Sequence, residues 1–178
     1  EFSGSILSQV EAAYEYLSLN NAKSAHFEGL KRIEIESYPS YALREALVNA
    51  ATHRDYSFSG SILIHLFQNR LEIVSVGGLV KGLTLEDIEL GVSQSRNSKL
   101  ANVFYRLKWI ESYGTGLQRM KESYKQSMEQ PFWKVSPNAF VVTLPKQTVD
   151  TPTSEDNLLN DWLKDNPEFS TKELEVYL

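Results

Sequence analysis

The sequence predicts an α+β fold, a two-layer α/β sandwich with a mixed, mainly antiparallel sheet and a small helical appendage at the C-terminus. Three observations carry this. Helical periodicity over residues 41–54 gives way to two β-rich runs, 61–67 and 70–76, around Gln68-Asn69, which reads as an antiparallel hairpin. Two further amphipathic stretches, 98–108 and 116–128, lead into a second pair of strands at 132–135 and 139–144. Apolar residues make up 42% of the chain, enough for a sizeable core, so the helices of 41–54, 98–108 and 116–128 are expected on one face of the sheet.

Taken in order, Ile6, Leu7, Val10, Tyr14 and Leu17 fall at helical spacing over residues 5–18, with Ser3 and Ser5 available as caps. Residues 31–36 alternate polar and apolar up to Tyr38-Pro39, which suits a short edge strand. Leu43, Ala46, Leu47, Ala50 and Ala51 form one stripe of the central helix. Thr84 with Asp87 three residues on resembles a capping box for a helix at 85–90, stopped by Gly91, and a polar loop follows at 93–97. Leu100, Val103, Phe104 and Leu107 mark the next helix, and Leu117, Met120 and Tyr124 the inward face of the one after it. Ser136-Pro137-Asn138 turns the last strand pair, and Pro145 ends it.

This divides the chain into residues 1–37, a helix and edge strand packing on the core; 38–146, the main domain; 147–153, a polar linker; and 154–178, a helical appendage. No uncharged apolar run approaches the ~18 residues that span a bilayer, and no signal peptide opens the chain, so the expectation is a cytoplasmic protein without a membrane partner. Without cysteine there is no disulfide framework and no thiolate metal site. Both ends are expected to be cuts in a longer protein. The net charge of −5 is uneven: residues 150–178 hold 8 acidic and 2 basic side chains, leaving 15 acidic against 16 basic before them. A nearly neutral main domain offers no basic face for DNA phosphates.

Glu45, Asn49 and His53 are spaced i, i+4, i+8, so about 40° of rotation separates neighbours and the three share one face of the central helix. Such a row suits chemistry: a carboxylate orients or deprotonates water, an amide oxygen ligates Mg²⁺, an imidazole meets a phosphate. The same spacing also describes the solvated side of an amphipathic helix. Gly77-Gly78 follows a strand, where missing Cβ atoms let backbone approach a ligand, and Gly114-Thr115-Gly116 opens a helix whose free N–H groups favour phosphate. Each pair is also compatible with a simple turn or cap.

The order of polar helix, hairpin, Gly-Gly, variable segment, Gly-Thr-Gly-Leu helix and closing strands resembles the GHKL, or Bergerat, ATPase superfamily over residues 38–145. Ala42-Leu43-Arg44-Glu45-Ala46-Leu47-Val48-Asn49-Ala50, His53-Arg54-Asp55-Tyr56, Gly77-Gly78-Leu79, Arg96-Asn97 and Gly114-Thr115-Gly116-Leu117 are similar to a divergent GHKL-like domain of bacterial transcriptional regulators, often labelled helicase-like at the C-terminus. The resemblance implies ATP and Mg²⁺ as ligands. Asn49 would bind Mg²⁺ and Glu45 would be the water activator. His53, Ser75, Gly77, Gly78, Gly114, Thr115, Gly116 and Leu117 would surround the nucleotide. The chain departs from the superfamily at Ser75, where an Asp normally receives the adenine amino group; losing that charged acceptor removes about 1.5 to 3 kcal/mol. Gln118 also stands where a further Gly is common.

The stretch from Asp161-Trp162 to Glu173-Leu174 resembles the start of a winged helix-turn-helix, and two capped helices packing on the domain describe it as well. The expected function is thus the ATP-binding-like core of a DNA-binding transcriptional regulator, with nucleotide or a partner as the switch and DNA contacted by other parts of the full-length protein. The alternatives are a degenerate scaffold for homodimerisation or domain coupling, and an active Mg²⁺-dependent ATPase. His53-Arg54-Asp55 lacks the glycine-rich loop and Asp-Phe-Gly of a kinase, residues 77–84 put Leu83 where a P-loop needs Lys, and His26 and His65 are isolated.

Overall fold

A computed structural model describes residues 1–110 and 114–147; the linker beyond 147 and the appendage of 154–178 lie outside the described residues. The elements are α1 (Ile6–Leu19), β1 (Lys23–Glu28), β2 (Lys31–Glu36), α2 (Ser40–His53), β3 (Leu63–Leu66), β4 (Arg70–Val76), α3 (Leu85–Glu89), α4 (Ser98–Arg106), α5 (Gly116–Ser123), β5 (Phe132–Ser136) and β6 (Ala139–Pro145). They form the two-layer α/β arrangement, with a four-stranded sheet in the order β3-β4-β6-β5 and a separate two-stranded sheet of β1 and β2. Every described pairing is antiparallel, a stricter arrangement than the mixed sheet expected.

β1 is the element that the sequence reading leaves unassigned. Its register pairs Glu28 with Lys31 across a two-residue turn, where Gly29 takes φ +59, so β2 is an edge only of its own hairpin. The capping box at Thr84 and Asp87 forms as read, with both reciprocal bonds present. α5 stops at Ser123, short of the expected 128. Tyr124 caps it: the buried phenol donates to the Pro145 carbonyl at 3.0 Å, while Gln130 Nε2 donates to the Tyr124 carbonyl at 2.8 Å and turns the chain.

α2 organises the core. One side packs Ala42, Leu43, Ala46, Leu47 and Ala50 against Leu71 and Ile73 of β4, Val142 and Leu144 of β6, and Met120 and Tyr124 beyond. Another side joins Val48 and Ala51 to Val10 of α1 and Phe104 of α4, whose ring stacks on Trp109 at 5.1 Å. A helix buried on two faces has little solvated surface left, and that changes what its polar residues can be. Among the described residues no helix is long and apolar enough to cross a membrane.

The Tyr124 bond ties the end of α5 to the end of β6 inside the core. Tyr124→Phe is expected to lower unfolding free energy by about 1 kcal/mol without altering the denaturant m-value, as measured by urea denaturation.

Candidate functional site

The polar row of α2 is enclosed rather than solvated. Glu45 is only 7% exposed, and its Oε1 receives the Asn49 side-chain amide at 3.0 Å. That donation leaves the Asn49 carbonyl oxygen as the atom it can offer to a cation. The Glu45 carboxylate lies against the first turn of α5 so closely that a Cβ on Gly116 would fall on it. Burial pushes the Glu45 pKa up; the Asn49 bond and the charges of Arg44 and Arg119 oppose this without cancelling it. His53, at the other end of the row, is held below its ordinary value by burial and then by the Arg96 charge. It therefore favours the neutral imidazole, a weaker partner for phosphate than an imidazolium would be.

Arg96 and Asn97 finish α2. Arg96 donates from Nε to the His53 carbonyl at 3.1 Å, from one terminal nitrogen to the Asp55 carboxylate at 3.2 Å, and from the other to the Gly78 carbonyl at 2.9 Å. Asn97 Nδ2 donates to the carbonyls of Thr52 at 2.8 Å and Arg54 at 2.7 Å. Four orphan carbonyls end every helix, and these side chains supply partners where the chain turns away.

The glycines serve packing as much as any ligand. A Cβ on Gly77, whose φ is +107, would meet Asp55 Cβ at 2.9 Å; one on Gly78 would meet the Ser136 and Pro137 carbonyls; one on Gly114, at φ +90, would meet the Gly91 carbonyl. Ser75, 3% exposed, donates its hydroxyl proton to the Ala50 carbonyl at 2.8 Å, pinning β4 to α2.

These pieces surround a cavity of about 130 Å³. Glu45, Asn49, His53, Ser75, Gly77, Gly78, Gly114, Gly116 and Leu117 all line it, whereas Thr115 does not. The floor is apolar, with Ile73 from β4 and Phe140 and Val142 from β6, and the roof carries Leu79, Val80, Leu83, Ile88 and Val92. The segment 79–95 thus already lies over the cavity without filling it. Sequence reasoning missed Thr52 and Ser95 in the lining, although Thr52 stands seven residues from Glu45 and so returns to within about 20° of it on the helix. No group of His, Asp and Glu side chains among the described residues makes a metal cage, so a cation held by Asn49 would take its remaining oxygens from water or a ligand.

Two outcomes follow from this geometry. Gly116→Ala should cost about 1–3 kcal/mol, and most of that cost should vanish in a Glu45→Ala background, where the obstructing carboxylate is gone; a double-mutant cycle by chemical denaturation reads the coupling. Because the folded-state pKa of Glu45 lies above its ordinary 4.5, the native chain holds the extra proton between the two values, and stability falls as pH rises through that window. Glu45→Gln removes the titration. Its melting temperature should exceed that of the wild type most above the window, and the gap should close as pH falls to the ordinary glutamate range.

Comparison with known proteins agrees with the fold. Residues 60–144 match the family described as "Putative ATP-dependent DNA helicase recG C-terminal". The crystal structure of the DIP2311 protein from Corynebacterium diphtheriae superposes with a TM-score of 0.76 at 25% identity, covering 85% of this chain and 31% of that one. The present chain therefore spans about a third of that protein's length. None of the curated proteins matches it. The family match begins after α2, so it bears on the sheet, the glycine segments and α5, and not on Glu45 or Asn49. Over residues 60–144 the chain is thus similar to an ATPase-like family.

Proposed function

We propose that the cavity binds ATP with Mg²⁺ and that this domain is the nucleotide-responsive core of a transcriptional regulator. The carrying observation is that one cavity gathers the Glu45-Asn49 pair, both glycine segments and the start of α5, in an ATPase-like domain. When bound, Mg²⁺ neutralises phosphate charge. Asn49 would hold it through its carbonyl oxygen, since the amide nitrogen is committed to Glu45. The first turn of α5 would face the phosphates with free N–H groups. Glu45, enclosed and raised in pKa, would orient a water and hold its proton.

Ser75 bears on the base. Its proton is spent on Ala50, so its remaining lone pairs can only accept. An acceptor there suits the amino group of adenine and repels the carbonyl of guanine, which retains the polarity of the absent carboxylate at lower strength. The segment 79–95 supplies the response. A ligand shifts it only by binding one of its positions more tightly than another. DNA contact is assigned to parts of the full-length protein outside the described residues.

One observation favours a second reading, a degenerate scaffold used for homodimerisation or domain coupling. The spaces beside Gly77, Gly78 and Gly114 are taken by the protein itself, so packing alone requires these glycines. Exposed Leu63, Leu66 and Phe67 at the β3 edge would then serve a second copy.

Calorimetric titration separates the two. Saturable binding of ATP with Mg²⁺ is expected, weaker binding of GTP, and at least a tenfold loss, about 1.4 kcal/mol, in Asn49→Ala. No heat at millimolar ATP would replace the nucleotide reading with the scaffold, and turnover abolished by Glu45→Ala would promote the domain to an ATPase.

A further inference from the structure

Two hydroxyls in the cavity have no hydrogen-bond partner among the described residues. Thr52, on α2, is 4% exposed, and its Oγ1 is buried and unpartnered; Ser95 Oγ, on the roof segment, is the same. A helical threonine commonly returns its hydroxyl to the carbonyl one turn back, and Thr52 does not. A buried hydroxyl is destabilising when it is left unpaired. Thr52 and Ser95 line the same cavity from two walls, one the fixed helix and the other the roof. Other parts of the lining are apolar, at Ile73, Leu83, Ile88 and Val142.

Position adds to this. Thr52 follows Asn49 by three residues and so continues the Glu45-Asn49 row, while its own carbonyl is held by Asn97. Ser95 immediately precedes Arg96 and Asn97, the pair that fastens the roof segment to the end of α2. Both hydroxyls are therefore on backbone next to these fastenings. Unpaired hydroxyls brought to one cavity by two different elements are complementary to a ligand that is rich in oxygen at that point.

Resting on the nucleotide reading above, we propose that Thr52 and Ser95 form a two-walled polar clamp on the sugar–phosphate oxygens of the bound nucleotide, joining the roof segment to α2 through the ligand. Hydroxyls suit this task because each donates to a phosphate or sugar oxygen and can also accept from a sugar hydroxyl.

The test uses Thr52→Val, which keeps the shape and removes the hydroxyl, Thr52→Ser, which keeps the hydroxyl, and Ser95→Ala. Melting is measured without ligand, and titrations are run with Mg²⁺-ATP and with adenosine. Without ligand, Thr52→Val and Ser95→Ala should melt no lower than wild type, since they delete unpaired groups. Their affinity for ATP should fall about three- to tenfold each, and Thr52→Ser should retain wild-type affinity. A loss shared with adenosine assigns the clamp to the ribose; a loss confined to ATP assigns it to phosphate. Wild-type binding of ATP that is unchanged in the Val and Ala variants overturns the clamp and leaves the nucleotide reading standing. A lower melting temperature in ligand-free Thr52→Val with normal melting of Thr52→Ser also overturns it, because the hydroxyl then has a structural partner, such as enclosed water. Failure of wild type to bind either ligand removes the nucleotide reading and the clamp with it.

Discussion

The end of α2 is where the domain is fastened. A helix that stops inside a protein presents carbonyls that no residue of its own can satisfy, and here Arg96 and Asn97 reach them from more than forty residues away. Arg96 does more than cap. The same guanidinium holds Asp55, where the chain leaves the helix, and the Gly78 carbonyl, where it leaves β4. The Arg96-Asp55 pair is only about a quarter exposed, with side-chain exposures of 26% and 24%, so solvent screens it incompletely. Gly77 makes the arrangement possible, because a side chain there would displace Asp55. Helix, glycine turn and roof thus share one set of bonds, and the polar row of α2 is aimed by its far end.

Enclosure then decides the chemistry. Burial moves Glu45 and His53 in opposite directions on the pH scale, yet toward the same electrical result, since each favours its uncharged form. The cavity has an apolar floor and roof, so its polar contacts to a ligand are confined to the α2 row and the neighbouring turns. Hydrogen-bond geometry, more than net charge, would then set selectivity, and this is why the directions of the Asn49 amide and the Ser75 hydroxyl carry so much of the functional reading.

Much of this was legible in the sequence. The hairpin around Gln68-Asn69, the capping box at Thr84 and the helix of 98–108 are local matters of periodicity and capping, and local physics decides them. β1 was not read from the sequence although Ser24 to Glu28 alternates, because so short a run carries only two apolar residues; its strand is fixed by pairing to β2 across Gly29. The extent of α5 escaped for a similar reason, since the helical pattern runs on while Tyr124 is committed to β6. In the site, the spacing of Glu45, Asn49 and His53 gave a shared face but not its environment. Two cores had to close around α2 before that face became an interior one. The glycines were read as room for a ligand, and the structure fills much of that room with Asp55, Ser136, Pro137 and Gly91.

That filling leaves the cavity in place, and the same contacts join its roof to α2 and to the start of α5. Gly91 rests on Gly114, and four residues later Ser95 enters the lining just before the Arg96-Asn97 fastening. A ligand that engages Ser95 would act on the residue adjoining the cap, and one that presses on the start of α5 would act on the Gly114 contact. The C-terminal part of the roof is thus tied to the site at two points. Packed interfaces of this kind move between discrete arrangements in preference to deforming smoothly. The geometry therefore suits a switch whose two positions differ in whether the roof is held by protein contacts alone or by protein and ligand together.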